Sequence, residues 1–139
     1  MVERPKSITG ATTKIMTGCG PLFVTVNEGP TETEGQIYRE IKLQMGKSGG
    51  CQSCFMDGMS GALTLAWNAA KSRKALIKIL RGIQCPNPTV SGGVRTLSCL
   101  DAVAVVLLAK DKPLETVPTW ETPEEKNILN VTPEEGGAA

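Results

Sequence analysis

The chain has 139 residues, which is the size of one domain. It has 15 Lys+Arg against 14 Asp+Glu and no histidine, which excludes Ser-His-Asp and Cys-His catalysis and histidine metal ligands. The near-neutral net charge and an aromatic content of 4% argue against a nucleic-acid partner, because such a protein needs a net basic surface and aromatic residues on which bases stack. No apolar run reaches the roughly 18 residues of a membrane span. The charged residues after Met1 predict no signal peptide, so we expect no membrane association and a cytoplasmic protein.

The first third of the chain predicts an antiparallel sheet. Residues 11–17 and 22–27 are rich in Thr, Val, Ile and Phe, and they flank the turn sequence GCGP at 18–21, so they predict a β-hairpin. Residues 28–35 predict a polar loop. Residues 36–45 predict a third strand with one shared side, formed by Ile37, Arg39, Ile41, Leu43 and Met45.

From residue 51 the apolar spacing becomes helical. Residues 51–71 predict an amphipathic helix with an apolar face of Phe55, Met59, Ala62, Leu63, Ala66 and Ala70. Gly58 and Gly61 in this helix would allow another element to approach closely. Ser72 is placed to cap a second helix at 73–81, and Ser98 is placed to cap an almost entirely apolar third helix at 99–110.

Strands followed by helices predict an α+β domain, with a small antiparallel sheet and helices packed on one face. The other face of such a sheet needs a cover, so we expect a homo-oligomer.

The charge composition of the chain changes near residue 110. From residue 111 there are seven acidic residues against two lysines, a net charge of −5, together with four prolines. We therefore predict a folded domain at 1–110 and a disordered acidic tail at 111–139.

The five cysteines carry the strongest chemical signal. Cys19, Cys51, Cys85 and Cys99 lie at a predicted turn, a loop or a helix start, where a thiolate finds backbone N–H donors. Four thiolates meeting in space would form a closed, structural zinc site. Cysteines are also common as small buried apolar residues, and Cys51-x-x-Cys54 allows a redox pair. Disulfides are disfavoured by the odd count.

Two further motifs suggest an anionic ligand. Gly46, Lys47, Ser48, Gly49 and Gly50 lead into the first predicted helix, so their backbone N–H groups and the lysine predict a phosphate-binding loop. A plain glycine-rich turn is the alternative. A basic cluster on the second helix is typical of a solvated face, and an anionic ligand is again the other reading; it comprises Lys71, Arg73, Lys74, Lys78 and Arg81.

Four short motifs together resemble the TSCPD domain. They are TGCGPLFVTVN at 17–27, GKSGGC at 46–51, RGIQCP at 81–86 and LSCLDA at 97–102. The resemblance extends over residues 5–109, and the recurring cysteines of the family fall on Cys19, Cys51, Cys85 and Cys99. Cys54 is an addition of this chain. Leu97 and Leu100 replace the Thr and Pro of the motif that names the family.

The TSCPD domain is similar to the C-terminal module of adenosylcobalamin-dependent (class II) ribonucleotide reductases. The resemblance implies a structural zinc held by the four recurring cysteines, with Cys54 as a spectator or substitute ligand. The large reductase barrel does not fit in this chain, so we expect a non-catalytic accessory or regulatory module that contacts a reductase catalytic chain. A small protein that holds a nucleotide or another phosphorylated molecule is the alternative, and a thiol enzyme using Cys51 and Cys54 is a third.

Overall fold

The computed structural model describes residues 2–46, 50–110 and 112–117. Their fold is the predicted α+β class, with a three-stranded antiparallel sheet in the order β1-β2-β3, three helices and a short second hairpin. In chain order the elements are β1 (Gly10–Thr17), β2 (Gly20–Pro30), β3 (Ile37–Met45), α1 (Gly50–Ala70), α2 (Arg73–Leu80), β4 (Thr89–Ser91), β5 (Val94–Thr96), α3 (Cys99–Ala109) and a 3₁₀ turn (Leu114–Thr116).

Helix α3 is the centre of the core. It packs on β1 and β2, with α2 against its side. Its sequence CLDAVAVVLLA is apolar all round, as expected for a helix enclosed on every side, and all but three of its residues are buried. The sheet presents alternate residues to it, namely Ile15, Leu22, Val24, Ile41 and Leu43, all nearly inaccessible.

The opposite face of the sheet is polar. Thr12 and Lys14 of β1 and Lys42 and Gln44 of β3 are exposed there, and Phe23 is half-buried between them. Helix α3, with α2 against it, therefore covers one face of the sheet, as predicted. None of the helices in the described ranges combines the length and apolar content that a membrane crossing requires.

Helix α1 lies along the free edge of β3. Three polar side chains one turn apart replace a fourth strand: Ser60 accepts the Leu43 N–H at 2.9 Å, and Thr64 accepts the Ile41 N–H at 3.0 Å. Thr64 also donates to the Ile41 carbonyl at 3.1 Å. Asn68 accepts the Arg39 N–H at 2.9 Å and donates to its carbonyl at 2.7 Å. The edge is thus paired by side chains, which removes a site for strand-to-strand aggregation.

This arrangement corrects the predicted apolar face of α1. Met56, Leu63 and Trp67 are the buried residues, and Phe55 is 54% exposed. Ala62 and Ala70 are exposed too. Hydrophobic spacing alone missed the rotation of the helix, because the row that faces β3 is polar and its partners are backbone groups.

The ends of several elements differ from the prediction. Strand β2 continues to Pro30, through the first part of the predicted polar loop. The hairpin β4–β5 was not predicted, although its turn holds Gly92 and Gly93, both at positive φ. Leu114 and Val117 pack against the core, beyond the predicted boundary at residue 110. The rest of the predicted disordered tail, 118–139, and residue 111 lie outside the described residues.

Candidate functional site

Three of the motif segments meet at one end of the sheet. The β1–β2 turn, the loop after α2 and the start of α3 are joined there by backbone contacts. Cys85 N–H donates to the Leu97 carbonyl at 3.0 Å, and Thr96 Oγ1 donates to the Met16 carbonyl at 3.2 Å. Gly18 lies so close to the backbone of Asn87 that a Cβ there would collide with the Asn87 carbonyl. This close approach explains why the residue before Cys19 is a glycine.

The convergence brings Cys19, Cys85 and Cys99 together as neighbours, and these three residues are called the cysteine cluster below. Burial raises the pKa of the Cys99 thiol above its ordinary value, and the Thr17 hydroxyl lowers it; the adjacent Cys19 and Cys85 sulfurs raise it again. Cys99 Sγ lies 3.6 Å from Thr17 Oγ1. The two neighbouring sulfurs therefore oppose ionisation of the Cys99 thiol, and a bound cation would relieve that repulsion.

Local hydrogen bonds hold two of these cysteines in place. Asn87 N–H points at the Cys85 sulfur, with a nitrogen-to-sulfur distance of 3.3 Å, and such a donor stabilises a thiolate. Thr17 Oγ1 accepts the Cys19 N–H at 3.2 Å and donates to the Gly20 carbonyl at 2.8 Å, which closes the tight turn. Soft sulfur donors at a turn, a loop and a helix start, one of them with an N–H directed at it, suit a thiophilic ion such as zinc.

Cys51 and Cys54 lie in the first turns of α1, and both are exposed. Within the described ranges, no three Cys, Asp, Glu or His side chains are placed so as to hold a metal ion. The cysteine cluster therefore supplies three of the four predicted ligands as neighbours, without metal-binding geometry. The set Cys19, Cys51, Cys85 and Cys99 remains a prediction.

The predicted phosphate loop is described only at its two ends. Gly46 N–H donates to the Pro21 carbonyl at 2.8 Å, and a Cβ on Gly46 would come within 2.6 Å of the Pro21 ring. Gly50 starts α1 with a φ of 78°. Close packing and a left-handed backbone thus explain these two glycines without a ligand. Lys47, Ser48 and Gly49 lie outside the described residues, so the anion site stays a prediction.

A buried polar network supports the start of α3. Asp101 is fully buried, and its carboxylate accepts the Gly82 N–H and the Leu97 N–H, each at 2.9 Å. Arg81 Nη1 lies 3.5 Å from the same carboxylate, with an arginine side chain only 3% exposed. The basic cluster at residues 71–81 predicted a solvated face that includes Arg81. The buried Arg81 does not belong to such a face.

Ser98 and Asp101 act together as a cap. The Ser98 hydroxyl accepts the Asp101 N–H at 3.0 Å, while the Asp101 carboxylate turns back to the backbone ahead of the helix. Sequence reasoning recognised the serine and missed the aspartate, although the Ser-x-x-Asp spacing is a capping signal. The network uses the backbone N–H and carbonyl of Leu97, so the leucine at this position leaves these bonds intact.

Comparison with known protein families finds a match. The model of the TSCPD domain matches residues 2–110, which includes every motif described above. Neither the curated proteins nor the solved structures contain a significant match. The matched domain relates the chain to ribonucleotide reductases.

Proposed function

The chain belongs to the TSCPD domain family, and from that premise we propose that it is a non-catalytic accessory module of ribonucleotide reduction, held together by a structural zinc ion. The observation that carries the zinc proposal is the convergence of Cys19, Cys85 and Cys99 from three separate segments. One ion there would join the β1–β2 hairpin to the loop after α2 and to α3. A closed thiolate site stabilises a fold and offers no position for a substrate.

Cys51 is the proposed fourth ligand, and topology supports it. Leu22 of β2 pairs with Met45 of β3, so β3 ends beside the start of β2, at the end of the sheet that carries the cysteine cluster. Helix α1 starts shortly after, and the Gly46 N–H to Pro21 carbonyl bond fixes the connection to that end. Cys51 follows Gly46 by five residues, which span at most about 18 Å, and this short connection supports the proposal that Cys51 reaches the cysteine cluster.

The proposed role is non-catalytic because the TSCPD domain is similar to the C-terminal module of a reductase, and that module is separate from the catalytic barrel. We propose that the protein acts by contact with a reductase catalytic chain, in the cytoplasm, where thiols stay reduced and available for a metal ion. Co-elution of the purified protein with the cognate catalytic chain in size-exclusion chromatography is the expected result. Separate elution at all concentrations tested would contradict this part of the proposal.

Zinc is tested by elemental analysis and native mass spectrometry of protein purified without chelators. We expect one zinc per chain in the wild type and in Cys54→Ser, and loss of the zinc in Cys85→Ser. The two variants are matched, since each replaces one cysteine by serine, and Cys54 is the added cysteine of this chain. Wild-type protein without zinc, also after refolding in zinc, would overturn the proposal. The same spectra report any co-purified nucleotide.

A further inference from the structure

The outward side of α1 is not covered by any other element of the described residues. One side of the helix faces the core and carries the buried residues Met56, Leu63 and Trp67. The adjoining side binds the β3 edge through Ser60, Thr64 and Asn68. The opposite side carries what we call the outer stripe, five exposed residues at three- and four-residue spacing: Phe55, Gly58, Ala62, Leu65 and Ala69.

The outer stripe is apolar and uncharged. Phe55 is 54% exposed and Leu65 is 55% exposed. Asp57 is the one charged residue among the 21 of α1, and it lies off the stripe. Beside Leu65 a groove of about 390 Å³ between α1 and β3 borders this surface, and its lining includes Val2 and Tyr38 together with the charged Glu40 and Lys42. A contiguous apolar surface of this kind is typical of an interface.

The two glycines in the interior of α1, Gly58 and Gly61, have no role inside the described fold. A Cβ added to Gly58 or Gly61 would meet nothing within 4 Å. Each glycine costs a helix interior about 1 kcal/mol relative to alanine. In the described fold nothing lies over Gly58 that would need the missing side chain, whereas a second helix on the outer stripe would.

We propose that the outer stripe is a homodimer interface, in which α1 packs antiparallel against α1 of a second copy, with the twofold axis at Ala62. The size pattern of the stripe is self-complementary under that operation. In chain order the sizes are large, small, small, large, small, and the reversed copy places Phe55 opposite Ala69 and Leu65 opposite Gly58. Each large side chain then meets a small one, as an isologous interface requires.

A parallel pair would lack this fit. It would place Phe55 against Phe55 and Gly58 against Gly58, so that the helices would be forced apart at one level and leave a void at the next. The absence of charge on the stripe likewise offers nothing to a charged partner. A second copy meets both conditions, because it supplies the same apolar surface in the reverse order.

The length of α1 limits the area of the proposed interface. Its 21 residues make a helix about 31 Å long, so that a single helix pair falls below the roughly 800 Å² per partner of a standard stable interface. We therefore expect a reversible dimer whose population depends on protein concentration. The dimer does not depend on the proposed zinc or on the proposed reductase contact.

The test is analytical ultracentrifugation of the full chain over a concentration series. We expect a monomer–dimer equilibrium in the wild type and at least about tenfold weaker association in Leu65→Glu and Ala62→Glu. Ile79→Glu is the matched control, because Ile79 is 66% exposed on α2, away from the stripe, and should leave the equilibrium unchanged. Far-ultraviolet circular dichroism confirms that each variant is folded.

A second pair of variants tests the close approach. Gly58→Ala should weaken the dimer while raising the stability of the monomer, whereas Gly61→Ala, beside the stripe, should raise stability and leave association unchanged. Under mild oxidation, Ala62→Cys should give a disulfide-linked dimer, because this residue lies on the axis. A monomer throughout the concentration series, a dimer insensitive to Ala62→Glu, or a glutamate at 79 that dissociates it equally would overturn the proposal. Wild-type crosslinks through Cys51 or Cys54 would indicate a parallel pair and overturn it too.

Discussion

Replacing Asp101 by asparagine tests whether the buried carboxylate holds the site together. The carboxylate is inaccessible to solvent and binds two backbone N–H groups at 2.9 Å, one from Gly82 after α2 and one from Leu97 ahead of α3. Asparagine has the same shape, but it carries no charge, and one of its two oxygens becomes an N–H₂ donor. One of the bound N–H groups, or the guanidinium of Arg81, then faces a donor.

The cost follows from two effects that overlap. A hydrogen bond to a charged group contributes about 1.5–3 kcal/mol, and breaking a buried ion pair from one side costs about 3–5 kcal/mol, because the other charge remains buried. The asparagine oxygen keeps one of the bonds, so the two figures do not add. We expect Asp101→Asn to lower the free energy of unfolding by about 3–5 kcal/mol, a large part of the roughly 5–15 kcal/mol of a typical domain.

Urea unfolding followed by circular dichroism measures this change as a lower midpoint at an unchanged slope. Glu28→Gln is the control, because Glu28 also pairs with an arginine, Arg39, at 3.0 Å, but its side chain is 42% exposed. That substitution should cost less than about 1 kcal/mol. Equal costs for Asp101→Asn and Glu28→Gln would refute the reasoning. Arg81→Met added to Asp101→Asn should recover part of the loss, because it removes the uncompensated charge.

Two further predictions concern the edge of β3 and the response to acid. Thr64→Val keeps the side-chain shape but leaves the backbone N–H and carbonyl of Ile41 without their partner. Urea unfolding should therefore show that the free energy of unfolding falls by about 1–3 kcal/mol. In the exposed control Thr12→Val it should change by less than about 0.5 kcal/mol. Glu40 accepts hydrogen bonds from Arg4. These bonds are the main reason why the pKa of the Glu40 carboxyl lies below its ordinary value of 4.5. Its contribution to stability is therefore complete above pH 4.5 and is lost as pH falls through the lowered pKa, so stability measured across this range should fall less steeply in Glu40→Gln, and equal slopes would contradict the assignment.

The sequence determined those features that depend on neighbouring residues. Alternating Thr, Val and Ile around a Gly-Cys turn predicted β1 and β2, and the capping serines Ser72 and Ser98 set the starts of α2 and α3 where the structure has them. The almost entirely apolar sequence of α3 predicted its central place. Several short motifs in order also identified the family, which the match over residues 2–110 confirms.

Contacts between segments that are far apart in the sequence are visible only in the tertiary structure. The rotation of α1 depends on hydrogen bonds between Thr64 and the backbone of Ile41, and backbone groups are the same in every sequence. Arg81 and Asp101 were each assigned from local context, as a surface charge and as a helix residue, because their pairing exists only after α2 packs on α3. The meeting of Cys19 with Cys99 is likewise a consequence of the hairpin end approaching α3, since residues far apart in sequence carry no spacing signal of their own.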